Sequence, residues 1–142
     1  AHGALEGVPD PQDLVFAASV LTHMAPENVA HYLRETARVL RPGGRALLSV
    51  FLLDHYRTGQ PRPLGFARPI FDFEHRLPRW GDDLAIVEPD NPEQMTAYRG
   101  DFLARLAADA GLTMPDAPLP GMWSGSFNAW IGTQDLVVLH KP

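Results

Sequence analysis

The residues of this chain that could do chemistry are few and widely spaced. There are six histidines, His2, His23, His31, His55, His75 and His140, and no cysteine. Without cysteine there is no disulfide, thiolate zinc site or thiol nucleophile. No histidine pair has H-x-x-x-H spacing, and Asp54-His55 or Asp72-Phe73-Glu74-His75 would need distant partners to hold a metal, so no metal site is expected. Ser19 lies in Ala18-Ser19-Val20 and Ser124 in Trp123-Ser124-Gly125; neither has the G-x-S-x-G elbow that presents a nucleophilic serine, which excludes that hydrolase chemistry. What remains is His23, a residue type that can take up or give a proton and so suits a general base. Beside it stands a set of aromatics, Tyr56, Phe66, Phe71, Trp80 and Trp123, of the kind that walls a pocket for a small molecule.

The elements around these residues follow from hydrophobic patterning. Residues 13–19 form a short, nearly continuous apolar run, which suits a strand buried on both faces. Pro26-Glu27 fits the first turn of a helix, and Val29, Leu33, Ala37 and Leu40 recur at helical spacing. Arg41-Pro42-Gly43-Gly44 stops that helix; the glycine pair follows a helix and reads as its terminating turn, not as a phosphate loop. Residues 45–53 form a second apolar strand. Strand, helix, tight turn and strand make a βαβ unit with parallel strands, hence an α/β fold with an open, Rossmann-like sheet. Ser19, Val20 and His23 then lie just past the C-terminal end of a strand, the edge at which such sheets bind ligands.

The remaining chain is less regular. Residues 54–98 are rich in proline and aromatics and read as a cap that folds over something, with a short strand near 84–88 and a helix starting at Asn91-Pro92-Glu93-Gln94. A helix over 101–110, stopped by Gly111, and a final strand over 134–141 complete the single domain.

Several of these phrases resemble the class I S-adenosylmethionine-dependent methyltransferases. Asp13 to Met24 is similar to that family's fourth strand and the turn after it, with the Asp opening the strand and Val20-Leu21-Thr22-His23-Met24 following. Leu33 to Leu48, including Arg38-Val39-Leu40-Arg41-Pro42-Gly43-Gly44, resembles its next helix, turn and fifth strand. Ala110-Gly111-Leu112, Gly121-x-Trp123 and Gln134-Asp135 match its closing pattern. The resemblance implies that Ala18, Ser19, Val20 and His23 adjoin the methionine arm of S-adenosylmethionine, with His23 also facing the methyl-transfer pocket as a candidate base. It places the substrate cover after the fifth strand, with Tyr56, Trp80 and Trp123 against the acceptor, and makes the final strand antiparallel. The family grips the cofactor through a glycine-rich loop after its first strand, a pattern that Gly3 and Gly7 do not form. Residues 1–142 are therefore expected to be the C-terminal portion of one such domain: a core at 13–53, a cap at 54–98, and a helix with terminal strands at 99–142.

The implied activity is methyl transfer from S-adenosylmethionine to a small-molecule acceptor as part of a larger enzyme. The alternative is a non-catalytic, methyltransferase-like module that acts as a homodimer or pairs with a separate N-terminal half. A net charge of -5 disfavours nucleic acid as a partner. No basic and apolar leader is evident, and the longest apolar run, 46–53, is too short to cross a bilayer, so a cytoplasmic protein is expected.

Overall fold

The computed structural model describes residues 5, 7–9, 11–56 and 69–142. Its elements, in order, are β1 (Gln12–Ala17), α1 (Pro26–Val39), β2 (Leu40–Val50), β3 (Leu84–Ile86), β4 (Thr96–Tyr98), α2 (Gly100–Asp109) and β5 (Asp135–His140), with single 3-10 turns at Leu21–His23, Leu53–His55, Pro78–Trp80 and Pro92–Gln94. The main sheet has the order β1-β2-β5. β1 and β2 run parallel, with Leu14 opposite Arg45 and Ala17 opposite Leu48. β5 is antiparallel to β2, Val50 facing Asp135 and Arg45 facing His140. The βαβ unit and the antiparallel last strand are those expected from the sequence.

The core explains why these segments take these forms. α1 buries Val29, Tyr32, Leu33, Thr36 and Val39 along one side. They meet Val15 and Ala17 of β1, Ala46, Leu48 and Val50 of β2, Val137 and Leu139 of β5, and Leu103 and Ala107 of α2. Neither end of α1 has a cap from its own flanking side chain; distant residues supply both. Glu93 Oε1 accepts the Ala25 N–H and the Asn28 side-chain amide, each at 3.2 Å, putting an acid at the positive end of the helix. Lys141 Nζ donates to Ala37 O and Leu40 O, both at 2.6 Å, putting a cation at the negative end.

Three expectations are corrected. β1 is not buried on both faces: Val15 and Ala17 are buried, but Leu14 and Phe16 are 54% and 65% exposed. Both helices contribute to the core on the Val15 side, and no described helix covers the other. Leu40, read as the end of the helical stripe, is the first residue of β2. The Pro-Gly-Gly turn pairs with the last residues, since Gly43 N donates to Lys141 O and Lys141 N to Gly44 O. Finally, Asn91 caps no helix. Pro92–Gln94 makes one 3-10 turn, because the next residues are drawn into β4, which pairs with β3. Thr96 Oγ1 donates to Leu21 O at 3.2 Å, and the Tyr98 hydroxyl donates to Met24 O. Burial pushes that phenol far above the usual tyrosine range, so it stays a donor.

The end of β2, the start of β5 and the turn at 119–123 converge on one buried carboxylate. Asp135, 0% exposed, accepts Leu52 N at 2.9 Å, Gly121 N at 2.7 Å, Trp123 Nε1 at 2.8 Å and His55 Nδ1 at 2.8 Å. The close approach at Gly121 admits no side chain, since a Cβ there would lie 2.4 Å from Thr133 O. Removing the carboxylate would leave three buried N–H donors without an acceptor. Asp135→Ala is therefore expected to lower unfolding free energy by about 3–5 kcal/mol, read as a lower urea midpoint at unchanged m-value. Asp135→Asn, which keeps one acceptor oxygen, should lose less.

Candidate functional site

Because β1 and β2 are parallel and β5 antiparallel, the residues after β1, near the end of β2 and just before β5 meet at one edge. Three polar side chains from those places form a closed ring. The Ser19 backbone N–H donates to Ser49 Oγ at 2.7 Å. Ser49 Oγ donates to Gln134 Oε1 at 2.5 Å, and Gln134 Nε2 donates to Ser19 Oγ at 2.8 Å. Ser19 has φ of 58°, the only positive value at a non-glycine among the described residues. A left-handed serine costs on the order of 1 kcal/mol, which the ring offsets. Ala18 and Ser19 are exposed, whereas Val20 is half-buried against the main core.

His23 closes the 3-10 turn that follows. Its side chain is exposed, and Nδ1 lies 2.6 Å from Gln94 O. A carbonyl oxygen can only accept, so Nδ1 carries the proton, and in the neutral imidazole Nε2 holds the free lone pair. The neighbouring Glu93 anchors the same segment to the start of α1. The 91–95 turn thus both ties down the cap and orients His23.

The aromatic residues do not gather into one pocket. Trp123 is 0% exposed and packs with Phe51 and Phe73, its indole N–H spent on Asp135. It belongs to a second core and has no surface to offer an acceptor, which corrects its reading as a contact residue. Tyr56 is half-buried and stacks on Trp123, with ring centroids 5.9 Å apart and planes 4° apart. It borders a depression of about 340 Å³ with Leu53, Phe73, Glu74 and Arg76. Trp80 packs elsewhere, on the main core, with the Arg79 guanidinium 4.0 Å from its ring centroid. Phe66 lies outside the described residues.

A groove of about 670 Å³ lies on the uncovered sheet face. Phe16, Leu47, Ile131 and Leu136 form its apolar wall, and Ser19, Ser49 and Gln134 its polar part. On the other side of β5, the His55 side chain, 14% exposed, sits against Asp135 and the edge of the Phe127 ring. Asp54 turns away from it to accept Gly100 N at 2.6 Å, at the start of α2. Among the described residues, no cluster of three or more metal-ligating side chains forms, and no helix is long and apolar enough to cross a membrane.

Sequence reasoning reached Ser19 and His23 but not Ser49, Gln134 or Gln94. The Gln134-Asp135 pair was visible as part of a pattern, yet nothing local indicated what either side chain holds.

Comparison with known proteins agrees with this fold. Residues 3–48 match the family described as a methyltransferase domain. The fold is similar to that of TnmH, at 23% identity and a TM-score of 0.56, over 95% of this chain and 32% of that one. It is also similar to the mitomycin 7-O-methyltransferase MmcR, at 18% identity and 0.58, over 97% and 32%. A third is the 1,6-didemethyltoxoflavin-N1-methyltransferase of Burkholderia thailandensis, bound to 1,6-didemethyltoxoflavin and S-adenosylhomocysteine, at 22% and 0.50, over 91% and 43%. At these identities the likeness is one of fold, and the chain spans about a third of the length of the first two structures. The matched segment and the fold together support the resemblance drawn from the residues, that of a partial class I methyltransferase domain.

The tautomer of His23 can be read directly. Long-range proton–nitrogen correlation spectra at pH 8 are expected to show His23 protonated at Nδ1 and not at Nε2. The opposite tautomer would remove Nε2 as a proton acceptor.

Proposed function

We propose that this chain is part of an enzyme that moves the methyl group of S-adenosylmethionine to an oxygen, nitrogen or carbon of a small molecule, with His23 taking the acceptor's proton. The observation that carries this reading is the contact between His23 Nδ1 and Gln94 O, which leaves Nε2 as the basic nitrogen at the ligand edge of the sheet. Ala18, Ser19 and Val20 would adjoin the cofactor. Their main chain fits that role: Ser19, in the middle of the stretch, takes a left-handed conformation at an exposed edge, where polar groups are presented and not covered.

S-adenosylmethionine, when bound, supplies a methyl group on a positively charged sulfur and needs no metal to give it up. The chain's own residues would place the acceptor and remove its proton. Nε2 of His23 accepts that proton, and Gln94 O stabilises the resulting imidazolium through the Nδ1–H it already holds. Tyr56 and Trp80 are both half-buried and each would offer apolar surface, but from separate places, so a small acceptor meets one of them. Trp123 acts only from behind, by fixing the ring of Tyr56.

A second reading is favoured by one observation: the exposed face of the sheet carries Leu14, Phe16 and Ile131, at 54%, 65% and 63% exposure. In that reading the chain pairs through this face with a second copy or with an N-terminal methyltransferase half, and makes no catalytic contact of its own.

Calorimetric titration of the 142-residue chain with S-adenosylhomocysteine separates the two. Saturable binding, with a dissociation constant on the order of micromolar to millimolar, is expected if residues 18–23 contact the cofactor. No heat up to millimolar ligand would favour the pairing module.

A further inference from the structure

Ser19 is a non-glycine residue held at φ 58° in the stretch read as adjoining the cofactor. Nothing in its own sequence neighbourhood holds it there. The groups that do so are distant: Ser49 Oγ, thirty positions along, accepts its backbone N–H, and Gln134, 115 positions along, donates to its hydroxyl. Ser49 and Gln134 are bonded to each other at 2.5 Å, so each fixes the rotamer of the other. The two come from β2 and from the residue before β5, strands that Asp135 pins together. The ring thus carries the rigidity of the sheet into a turn that would otherwise relax to a right-handed conformation.

The count of donors also matters. Ser19 spends its backbone N–H on Ser49, while its Oγ accepts from Gln134. Its hydroxyl proton has no hydrogen-bond acceptor among the described residues and borders the groove. A serine held in this way presents one donor from a fixed backbone, at the sheet edge where ligands bind.

We propose that Ser49 and Gln134 are positioning residues of the cofactor site, holding the main chain of 18–20 in the left-handed turn that receives the cofactor. The inference rests on the reading that residues 18–20 adjoin S-adenosylmethionine. It differs from a merely structural role in one respect. If the ring works by imposing a positive φ, a glycine at position 19, which adopts that φ without strain, makes the ring dispensable.

The test is a mutant cycle read by calorimetry with S-adenosylhomocysteine, each variant checked for folding by thermal melting. Ser49→Ala and Gln134→Ala are expected to weaken binding about tenfold in the Ser19 chain. Ser49→Thr, which keeps the hydroxyl, restores it. Ser19→Gly also loses the hydroxyl donor and so sets its own baseline, against which adding Ser49→Ala costs no more than about twofold. Equal losses from Ser49→Ala in the two backgrounds would overturn the inference, as would no loss in either. If the unsubstituted chain binds no S-adenosylhomocysteine, the cofactor reading falls and this inference falls with it. Binding by the unsubstituted chain that Ser49→Ala leaves unchanged overturns this inference alone.

Discussion

A carboxylate leaves water only if other donors take water's place, and the interior of this molecule is organised around meeting that demand at Asp135. Its two oxygens collect a backbone N–H from just past β2, another from the 119–123 turn, an indole N–H and an imidazole. The donors come from two distant stretches of chain, 52–55 and 121–123, so satisfying one side chain fixes both of them to the start of β5. Trp123 can be buried because its N–H has this acceptor, and Tyr56 stacks on its ring while Phe51 and Phe73 meet it edge-on. Gln134, one residue earlier, points to the opposite face of the strand by simple alternation. One rigid strand start therefore serves the second core on one face and the Ser19 ring on the other.

The proline-rich segment is tied down by polar contacts as well as by burial. Glu93 reaches the start of α1, Gln94 O reaches His23, and Thr96 and Tyr98 donate to carbonyls at 21 and 24. All four bonds end on the short stretch between β1 and α1. The segment that reads as a cap is thus part of the frame that holds the candidate base.

The βαβ unit was legible because its signals are local: apolar runs, a helical stripe and a proline-glycine stop. Misreadings arose where a distant partner decides the outcome. Phe16 looks like a buried strand residue, but whether its face is covered depends on elements far from it in sequence. Asn91-Pro92 has the chemistry of a helix start, and the pairing of Thr96 with Ile86 ends that helix after one turn. Trp123 suits a pocket wall as well as a core, and only the position of Asp135 separates the two. Within the site, His23 and Ser19 could be found from their place after a strand and from the family resemblance. Ser49, Gln134 and Gln94 could not, since their contacts span 30 to 115 positions.

The same distances set an order of assembly. The unit from β1 to β2 closes through contacts only tens of residues apart, whereas Leu52 and Asp135 are separated by 83 positions. Closing so long a loop costs entropy before any bond is gained, and such contacts slow folding. The second core and the Ser19 ring therefore form together and late, when β5 docks. Until then the chain holds α1, still without its Lys141 cap, and a parallel strand pair, but neither the strained turn nor the aromatic cluster. The Ser19 ring is acquired in that final step, whereas His23 is held by the cap.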